Sequence, residues 1–195
     1  MPALLTLVRQ TAPEKLALEA ADISRADVQR QRAMLQNFLS ATSADEQETN
    51  PFFARVLLQP YAEELAAATL LRPHSVGSIC PVCAGRPQLA VLRPEGDGGK
   101  RFLVCSFCAT EWEFRRVLCP MCGEEDYQKL PRYSDEQIAA VRVEACDSCK
   151  HYLKSVDLTV DGHAVPIVDE VAAAALDIWA VDHGFSKIAP NLMGL

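Results

Sequence analysis

The cysteines are the residues whose type and spacing most clearly indicate a chemical role. All eight belong to Cys-x-x-Cys pairs, which are Cys80/Cys83, Cys105/Cys108, Cys119/Cys122 and Cys146/Cys149. Two intervening residues let both thiolates of a tight turn face one ion, and two such turns complete a tetrahedral site. The spacing therefore predicts two metal ions, each bound by four cysteines. Four thiolates suit either zinc or a single iron, so the sequence does not separate these metals.

An internal repeat predicts how the pairs are grouped. Cys-Pro-Val-Cys at 80–83 recurs as Cys-Pro-Met-Cys at 119–122, and each is followed by a loop, a strand and a second pair. A sequential assignment gives the first two pairs to one site (site one) and the last two to another (site two). An interleaved assignment is the alternative, although it conflicts with the repeat. His151 could replace a cysteine or hydrogen-bond to a ligand, but eight cysteines already complete both sites.

Disulfides and thiol exchange are the competing interpretations of these pairs. A disulfide framework needs an oxidising compartment, and the N-terminal stretch MPALLTLVRQTAP has no basic region and no clear cleavage site. No apolar run approaches the ~20 residues that span a bilayer. We therefore expect a cytoplasmic protein without membrane insertion. A thioredoxin-like site is disfavoured because the cysteines lack a βαβ setting.

The other residues predict a protein that is not an enzyme. A four-thiolate site has no open coordination position for hydrolytic metal catalysis. The sequence also lacks a phosphate-binding loop, a G-x-S-x-G motif and a convincing pair of carboxylates. The net charge of -7 argues against nucleic acid as the main partner. A nucleic-acid-binding zinc ribbon and a rubredoxin-like electron-transfer protein remain as alternatives.

The elements that position the cysteines predict an α+β fold. Residues 1–75 are cysteine-free and form an N-terminal helical domain. Two tandem four-cysteine modules are expected at 76–117 and 118–160, and a C-terminal helix and tail at 161–195. Strands are expected near 89–92, 101–104, 112–114 and 141–143. A module of roughly 40 residues buries too little apolar surface to fold without a structural metal.

Local patterns predict several helix boundaries. Ser24 with Asp27 resembles a capping box, and the apolar stripe from Val28 to Leu39 is expected to face a core. Asn50-Pro51 suits a helix start, and Pro60 should kink or divide that helix. Near the other end, a single helix is expected to start at Pro166 and to stop at His183-Gly184.

The residue after each second cysteine predicts a difference between the two sites. Gly123 follows Cys122 and can adopt the left-handed conformation that such turns often need. Ala84 follows Cys83, with Gly85 one place later. We expect either a shifted turn at site one or a backbone strain of about 1 kcal/mol.

The ordered motifs resemble the FdhE family of formate dehydrogenase accessory proteins. The resemblance covers about residues 75–195. The matching motifs, in chain order, are Cys80-Pro81-Val82-Cys83 with Pro87, Cys105 and Cys108 with Thr110-Glu111-Trp112, Arg116 with Cys119 and Cys122, Val143-Glu144-Ala145-Cys146-Asp147-Ser148-Cys149, and Tyr152-Leu153-Lys154. The four pairs with their Glu-Trp and Tyr-Leu-Lys connectors make the resemblance specific.

The resemblance implies a helical domain joined to two tandem rubredoxin-like or zinc-ribbon modules. It also implies a cytoplasmic, non-enzymatic role in formate dehydrogenase maturation. The implied partner is the catalytic subunit, which contains molybdenum or tungsten, and the cysteine pairs of some members have been linked to iron. Members are typically longer, so we expect a shortened N-terminal part whose exposed helical faces are compatible with a homodimer.

Three residues are candidates for the partner surface: Trp112, Arg115 and Arg116. The alternative for Trp112 is burial between the two modules. For the two arginines, the alternatives are an offset of the negative thiolate charge and simple exposure to solvent.

Overall fold

The computed structural model describes residues 1–40, 52–69, 77–96 and 98–194. These residues belong to two compact units, Met1–Pro60 and Tyr61–Leu195. The first is helical and the second contains a mixed sheet with both groups of cysteines, as the α+β prediction required. Within the described ranges, no helix combines the length and the apolar character that crossing a bilayer requires.

The N-terminal unit is built from helices, as the cysteine-free pattern predicted. The helices are Pro2–Thr11 (α1), Glu14–Arg25 (α2), Val28–Ser40 (α3) and Phe52–Ala68 (α4), of which the last continues into the second unit. Its buried core consists of Leu5, Val8, Ala20 and Phe53.

One expectation for this unit was wrong and another holds only in part. Ser24 lies inside the last turn of α2, and Asp27 caps α3 without it by accepting a hydrogen bond from the backbone N–H of Arg30 at 2.7 Å. Met34 of α3 packs against the core, but α3 has no fully buried residue, and the two ends of its apolar stripe are exposed.

The helix that contains Pro60 is not divided. α4 continues through this residue as one helix, although proline has no N–H to donate to the carbonyl four residues earlier. The expected start at Asn50-Pro51 lies outside the described residues.

All the described strands of the second unit belong to one seven-stranded sheet. The strands are Pro87–Glu95 (β1), Gly98–Cys105 (β2), Glu111–Glu113 (β3), Arg132–Ser134 (β4), Val141–Ala145 (β5), His151–Asp157 (β6) and Ser186–Lys187 (β7). Their order is β3-β2-β1-β6-β5-β4, with β7 paired to β6. The four strands predicted from the sequence are confirmed as β1, β2, β3 and β5.

The two cysteine modules meet in the middle of this sheet. β1 pairs with β6 in parallel, with Leu89 opposite Lys154, while the pairs within each module are antiparallel. The repeat predicted two tandem modules, but it did not indicate that a strand of one module pairs with a strand of the other in a single sheet. Each module therefore completes the hydrogen bonding of a strand edge of the other.

The sheet separates the cysteines from the C-terminal helices. On one face, Ala90, Leu103 and Leu153 pack with the cysteines of site one. On the other face, Val143 and Tyr152 pack against the C-terminal helices. Alternate residues of β6 therefore serve different cores, as the two-residue period of a strand requires.

The expected C-terminal helix is two helices. Pro166–Ala172 (α5) and Ala174–Asp182 (α6) are separated at Ala173, and α6 ends before Gly184, whose φ of 81° is the predicted helix stop. The break has a partner in the sheet, because the backbone carbonyls of Glu170 and Ala173 accept hydrogen bonds from Lys154 Nζ.

A buried charge network fastens these helices to the sheet. It comprises Tyr152, Lys154, Glu170, Asp177, Lys187 and Asn191. Lys154 Nζ lies 2.5 Å from Asp177 Oδ2, and Tyr152 OH donates to the other oxygen of Asp177 at 2.9 Å. The pKa of Tyr152 is raised by burial and by the hydrogen bond to Asp177. Within the Tyr152-Leu153-Lys154 motif, the two polar side chains thus hold the helices while Leu153 packs toward site one.

Candidate metal centres

The structure groups the eight cysteines sequentially, not in the interleaved arrangement. The ligand atoms of site one (Cys80, Cys83, Cys105 and Cys108) lie within 4.8 Å of one another, and so do those of site two (Cys119, Cys122, Cys146 and Cys149). In site one, the sulfurs of Cys80 and Cys108 are 3.5 Å apart. In site two, those of Cys119 and Cys149 are 3.8 Å apart.

These separations fit four thiolates around one ion. Zinc–sulfur bonds of about 2.3 Å at tetrahedral angles place sulfurs ~3.8 Å apart. In site one, the sulfurs of Cys83 and Cys105 are 3.3 Å apart, and in site two the sulfurs of Cys122 and Cys146 are 3.7 Å apart. A disulfide requires about 2.05 Å, so none of these pairs is bonded. Each group could hold one zinc or one iron ion, and the donor set favours neither.

Backbone hydrogen bonds shape each cysteine turn, which we call a knuckle. In the first knuckle, Cys80 N donates to Gly85 O at 2.8 Å, and Ala84 N donates to Cys80 O at 2.9 Å. The third knuckle repeats both bonds through Glu124 and Gly123. Backbone amides also point at sulfur, as Val82 N does at Cys80 Sγ over 3.4 Å. Such N–H donors stabilise a thiolate and not a thiol.

All four knuckles need a left-handed residue directly after the second cysteine. These residues are Ala84 with φ 59°, Ala109 with φ 54°, Gly123 with φ 79° and Lys150 with φ 57°. The first knuckle is therefore not shifted, and of the two expected outcomes the backbone strain is the one observed. Only the third knuckle has the glycine that adopts this conformation without a steric penalty.

Without a cation, the four sulfurs of site one could not all be thiolates at once, because like charges at these distances disfavour one another's ionisation. The hydrogen bond from Cys105 lowers the pKa of Cys108, and the contact with Cys108 raises the pKa of Cys105. In site two, burial raises the pKa of Cys119 and Cys149. Four thiolates at these distances need a positive ion among them, which is the chemistry of a metal centre.

The candidate partner residues do not share one exposed surface. Trp112 is fully buried, and its Nε1 donates to Gly77 O at 2.9 Å, which leaves the ring no accessible face for docking. Arg115 forms an exposed ion pair with Glu125 at 2.7 Å. Arg116 donates to Gly99 O at 3.1 Å.

His151 does not join the cysteines. Its Nδ1 lies 2.7 Å from the carbonyl oxygen of Cys149, and it is not among the grouped ligands. It therefore contacts the backbone of the fourth knuckle and does not replace a thiolate.

Sequence reasoning missed a buried arginine between the modules. Arg101 is 2% exposed, and its Nη2 donates to Glu144 Oε2 at 2.7 Å. Burial acts to raise the pKa of Glu144, but the charges of Arg101, Arg132 and Arg142 lower it overall. The strand period carried a signal, because Arg101 has the same parity as the buried Leu103 and Cys105.

Comparisons with known proteins agree with the motifs. Residues 79–116 match the FdhE central domain, and residues 117–193 match the FdhE C-terminal domain. A Protein FdhE homolog of Aquifex aeolicus is 36% identical over 116 residues, which are 59% of this chain and 41% of that protein. A homolog of Pseudomonas putida is 35% identical over 150 residues, which are 73% of this chain and 47% of that protein.

A solved structure has the same fold. The crystal structure of the FdhE protein from Pseudomonas aeruginosa superposes with a TM-score of 0.75 and 27% identity, and the match covers 98% of this chain and 68% of that one. The chain spans less than half the length of the two curated relatives described above. Two consecutive family domains, four ordered cysteine pairs and a shared fold therefore lead to one conclusion: the chain belongs to the FdhE family.

Proposed function

We propose that both four-cysteine groups bind a metal ion, either zinc or iron. The sulfur separations of 3.3–3.8 Å support this, as do the backbone N–H groups directed at sulfur. In both cases the four protein thiolates form a closed coordination set, which supports a structural or electron-transfer role and not hydrolysis.

Metal analysis with an optical spectrum, on protein purified anaerobically, tests this proposal. Two zinc ions per chain and no colour would make the sites structural. Two iron ions with a red thiolate-to-iron absorption would support redox chemistry. A protein without metal after purification in metal-replete buffer would contradict the proposal.

We propose that the chain is a non-catalytic accessory protein in formate dehydrogenase maturation, and that it binds the catalytic subunit in the cytoplasm. The observation that carries the proposal is the pair of closed cysteine sites on one shared sheet, inside the two consecutive FdhE domains. This arrangement offers a rigid platform, which suits a surface that recognises another protein.

Capture of the partner tests the maturation role. The full chain is immobilised and offered the purified catalytic subunit of a formate dehydrogenase, with the catalytic subunit of an unrelated molybdenum enzyme as the control. Selective retention of the first subunit is expected. Equal retention of both, or of neither, would contradict the role. Gel filtration of the same sample reports whether the chain forms a homodimer.

A rubredoxin-like electron-transfer role is the second candidate. The favouring observation is that three knuckles direct a backbone amide at the first sulfur, from Val82, Phe107 and Met121, each over 3.4 Å. Hydrogen bonds to sulfur tune the reduction potential of iron–thiolate sites. A colourless protein with two zinc ions would eliminate this candidate.

A further inference from the structure

Arg101 belongs to module one by sequence, but it contacts residues that lie just before both knuckles of site two. It lies on β2, four residues before Cys105 of site one. Its Nη1 donates to the carbonyl oxygen of Arg115 at 2.9 Å and lies 3.5 Å from that of Leu118, the residue directly before Cys119. Its Nη2 donates to Glu144 Oε2 at 2.7 Å.

These contacts reach the chain just ahead of each site-two knuckle. Leu118 enters the knuckle that carries Cys119 and Cys122. Glu144 lies two residues before Cys146, which opens the other knuckle. One side chain therefore fixes the distance between the two segments that must bring four sulfurs together.

The guanidinium of Arg101 is held in one orientation. The group lies 5.3 Å from the ring centroid of Phe114, and the N–H of Phe114 donates to the backbone carbonyl of Arg101 at 3.0 Å. A planar group with this support and three acceptors around it acts as a rigid spacer, which a flexible lysine would not reproduce.

The surroundings of Arg101 do not suggest an anion-binding site. A cavity of about 20 Å³ is lined by Arg101, Arg116, Arg132 and Glu144, together with Cys119 and Cys146 of site two. Among the described residues, Arg101 Nε and Glu144 Oε1 are both buried without a hydrogen-bond partner. A cavity of this volume holds about one water molecule, which leaves no room for a polyatomic anion.

We propose that Arg101 is a positioning residue through which the fold of module one sets the metal affinity of site two. The proposal rests on the proposed metal binding at the two cysteine sites. Site one has no equivalent dependence on Arg101, because none of the hydrogen bonds from its guanidinium reaches a knuckle of site one. Loss of a partner that orients metal ligands typically weakens binding about 10–100-fold.

The test separates the two sites in the full-length protein. Zinc-loaded protein is exposed to graded concentrations of a chelator together with iodoacetamide, and peptide mapping then gives the extent of alkylation of each cysteine. In Arg101→Met and Arg101→Lys, the site-two cysteines should become reactive at a chelator concentration about 10–100-fold lower than in the wild type. The site-one cysteines should keep their wild-type response.

Arg93→Met is the matched control. Arg93 also lies in the sheet and pairs with a glutamate, Glu111, at 2.6 Å, but this pair is partly exposed and contacts no knuckle of site two. Its loss should leave both sites unchanged. Glu144→Gln, which keeps the side-chain shape, should weaken site two without disturbing site one and keeps the test decisive if Arg101→Met fails to fold.

The outcomes distinguish the proposal from its premise. If the wild-type protein holds no zinc at either site, the proposed metal binding fails. If the wild type holds two zinc ions and both Arg101→Lys and Glu144→Gln release them as the wild type does, the positioning role is overturned. Equal weakening of both sites in these two variants would also overturn it, since that result indicates general destabilisation.

Discussion

Site one and site two are built from the same cysteine pattern but lie in different surroundings. In site one, Cys80, Cys105 and Cys108 are all buried, and Cys108 Sγ also contacts the hydroxyl of Thr110 at 3.1 Å. In site two, only Cys119 and Cys146 are buried. The repeat therefore fixes the number and the spacing of the ligands, while the surrounding core decides how far each site is protected from solvent.

The residues that pack around each site are the other difference. Each module supplies one central strand (β1 or β6) and one edge strand (β3 or β4), so position in the sheet does not distinguish the sites. The buried residues around site one include Leu103, Trp112 and Leu153. Site two depends on charged groups instead, with Arg101 and Glu144 next to its knuckles. We therefore expect site one to respond to packing changes and site two to respond to the loss of polar contacts.

The largest expected effect separates a buried ligand from an exposed one. Cys105→Ser should release one metal ion and destabilise the fold by several kcal/mol, because binding at comparable structural sites contributes on the order of 10–16 kcal/mol. Cys122→Ser, at an exposed ligand of site two, should also release one ion but lower the melting temperature less. Metal content and thermal unfolding measure both. Equal melting temperatures would break the comparison.

A smaller effect is expected where a side chain would approach the sulfurs. A Cβ at Gly85 would lie 3.1 Å from Cys105 Sγ and 3.2 Å from Cys83 Sγ. Gly85→Ala should therefore cost about 1–3 kcal/mol through overpacking at site one. Gly98→Ala is the control that should leave the unfolding midpoint unchanged, because nothing lies within 4 Å of the added Cβ. Denaturant unfolding of both variants checks this, and an unchanged midpoint for Gly85→Ala would contradict it.

At the left-handed positions, replacing glycine by alanine and replacing alanine by glycine should change the free energy of unfolding in opposite directions. Gly123→Ala would force φ 79° on an alanine and should cost about 1 kcal/mol, with no steric clash because no atom lies within 4 Å of the new Cβ. Ala84→Gly should relieve the strain at φ 59° and stabilise by up to about 1 kcal/mol. Chemical denaturation of the metal-loaded protein measures both. Two changes of the same sign would refute the strain at Ala84.

The smallest effects concern hydroxyl groups near each site. Thr110→Ala removes the contact with Cys108 Sγ and should cost about 1 kcal/mol, since a partly buried hydrogen bond is lost. Ser148→Ala removes an exposed hydrogen bond to Glu124 at site two and should leave the melting temperature unchanged within error. A larger loss from Ser148→Ala would show that the surface of site two is more important than its exposure suggests.

Much of this molecule follows from local sequence signals. The cysteine spacing and its repeat predicted two groups. Two short extended runs on either side of a glycine-rich loop predicted β1 and β2, and alternation of apolar and charged residues predicted β3 and β5. The absence of a glycine after Cys83 predicted either a shifted turn or a strained one, and the φ of 59° at Ala84 corresponds to the second. Each of these signals spans only a few residues, so a single sequence displays it.

The missed features depend on contacts between distant segments. No local sequence pattern indicates the parallel pairing of Leu89 with Lys154. Lys154 reads as a surface residue, yet it is fully buried because Glu170 and Asp177 balance its charge. The same lysine donates to the backbone carbonyl of Ala173, where the C-terminal helix is interrupted. Because this contact joins distant segments, the sequence predicted one helix where the structure has two.

The parallel junction of β1 and β6 also constrains the order in which the chain can fold during synthesis. β1 and β2 leave the ribosome early and can form their hairpin at once, but the other edge of β1 finds its partner only when residues 151–157 emerge. Throughout that interval, an apolar strand with unpaired backbone groups is open to pairing with another nascent chain. The last third of the polypeptide therefore protects the first module from aggregation, because it supplies the strand that pairs with the open edge of β1.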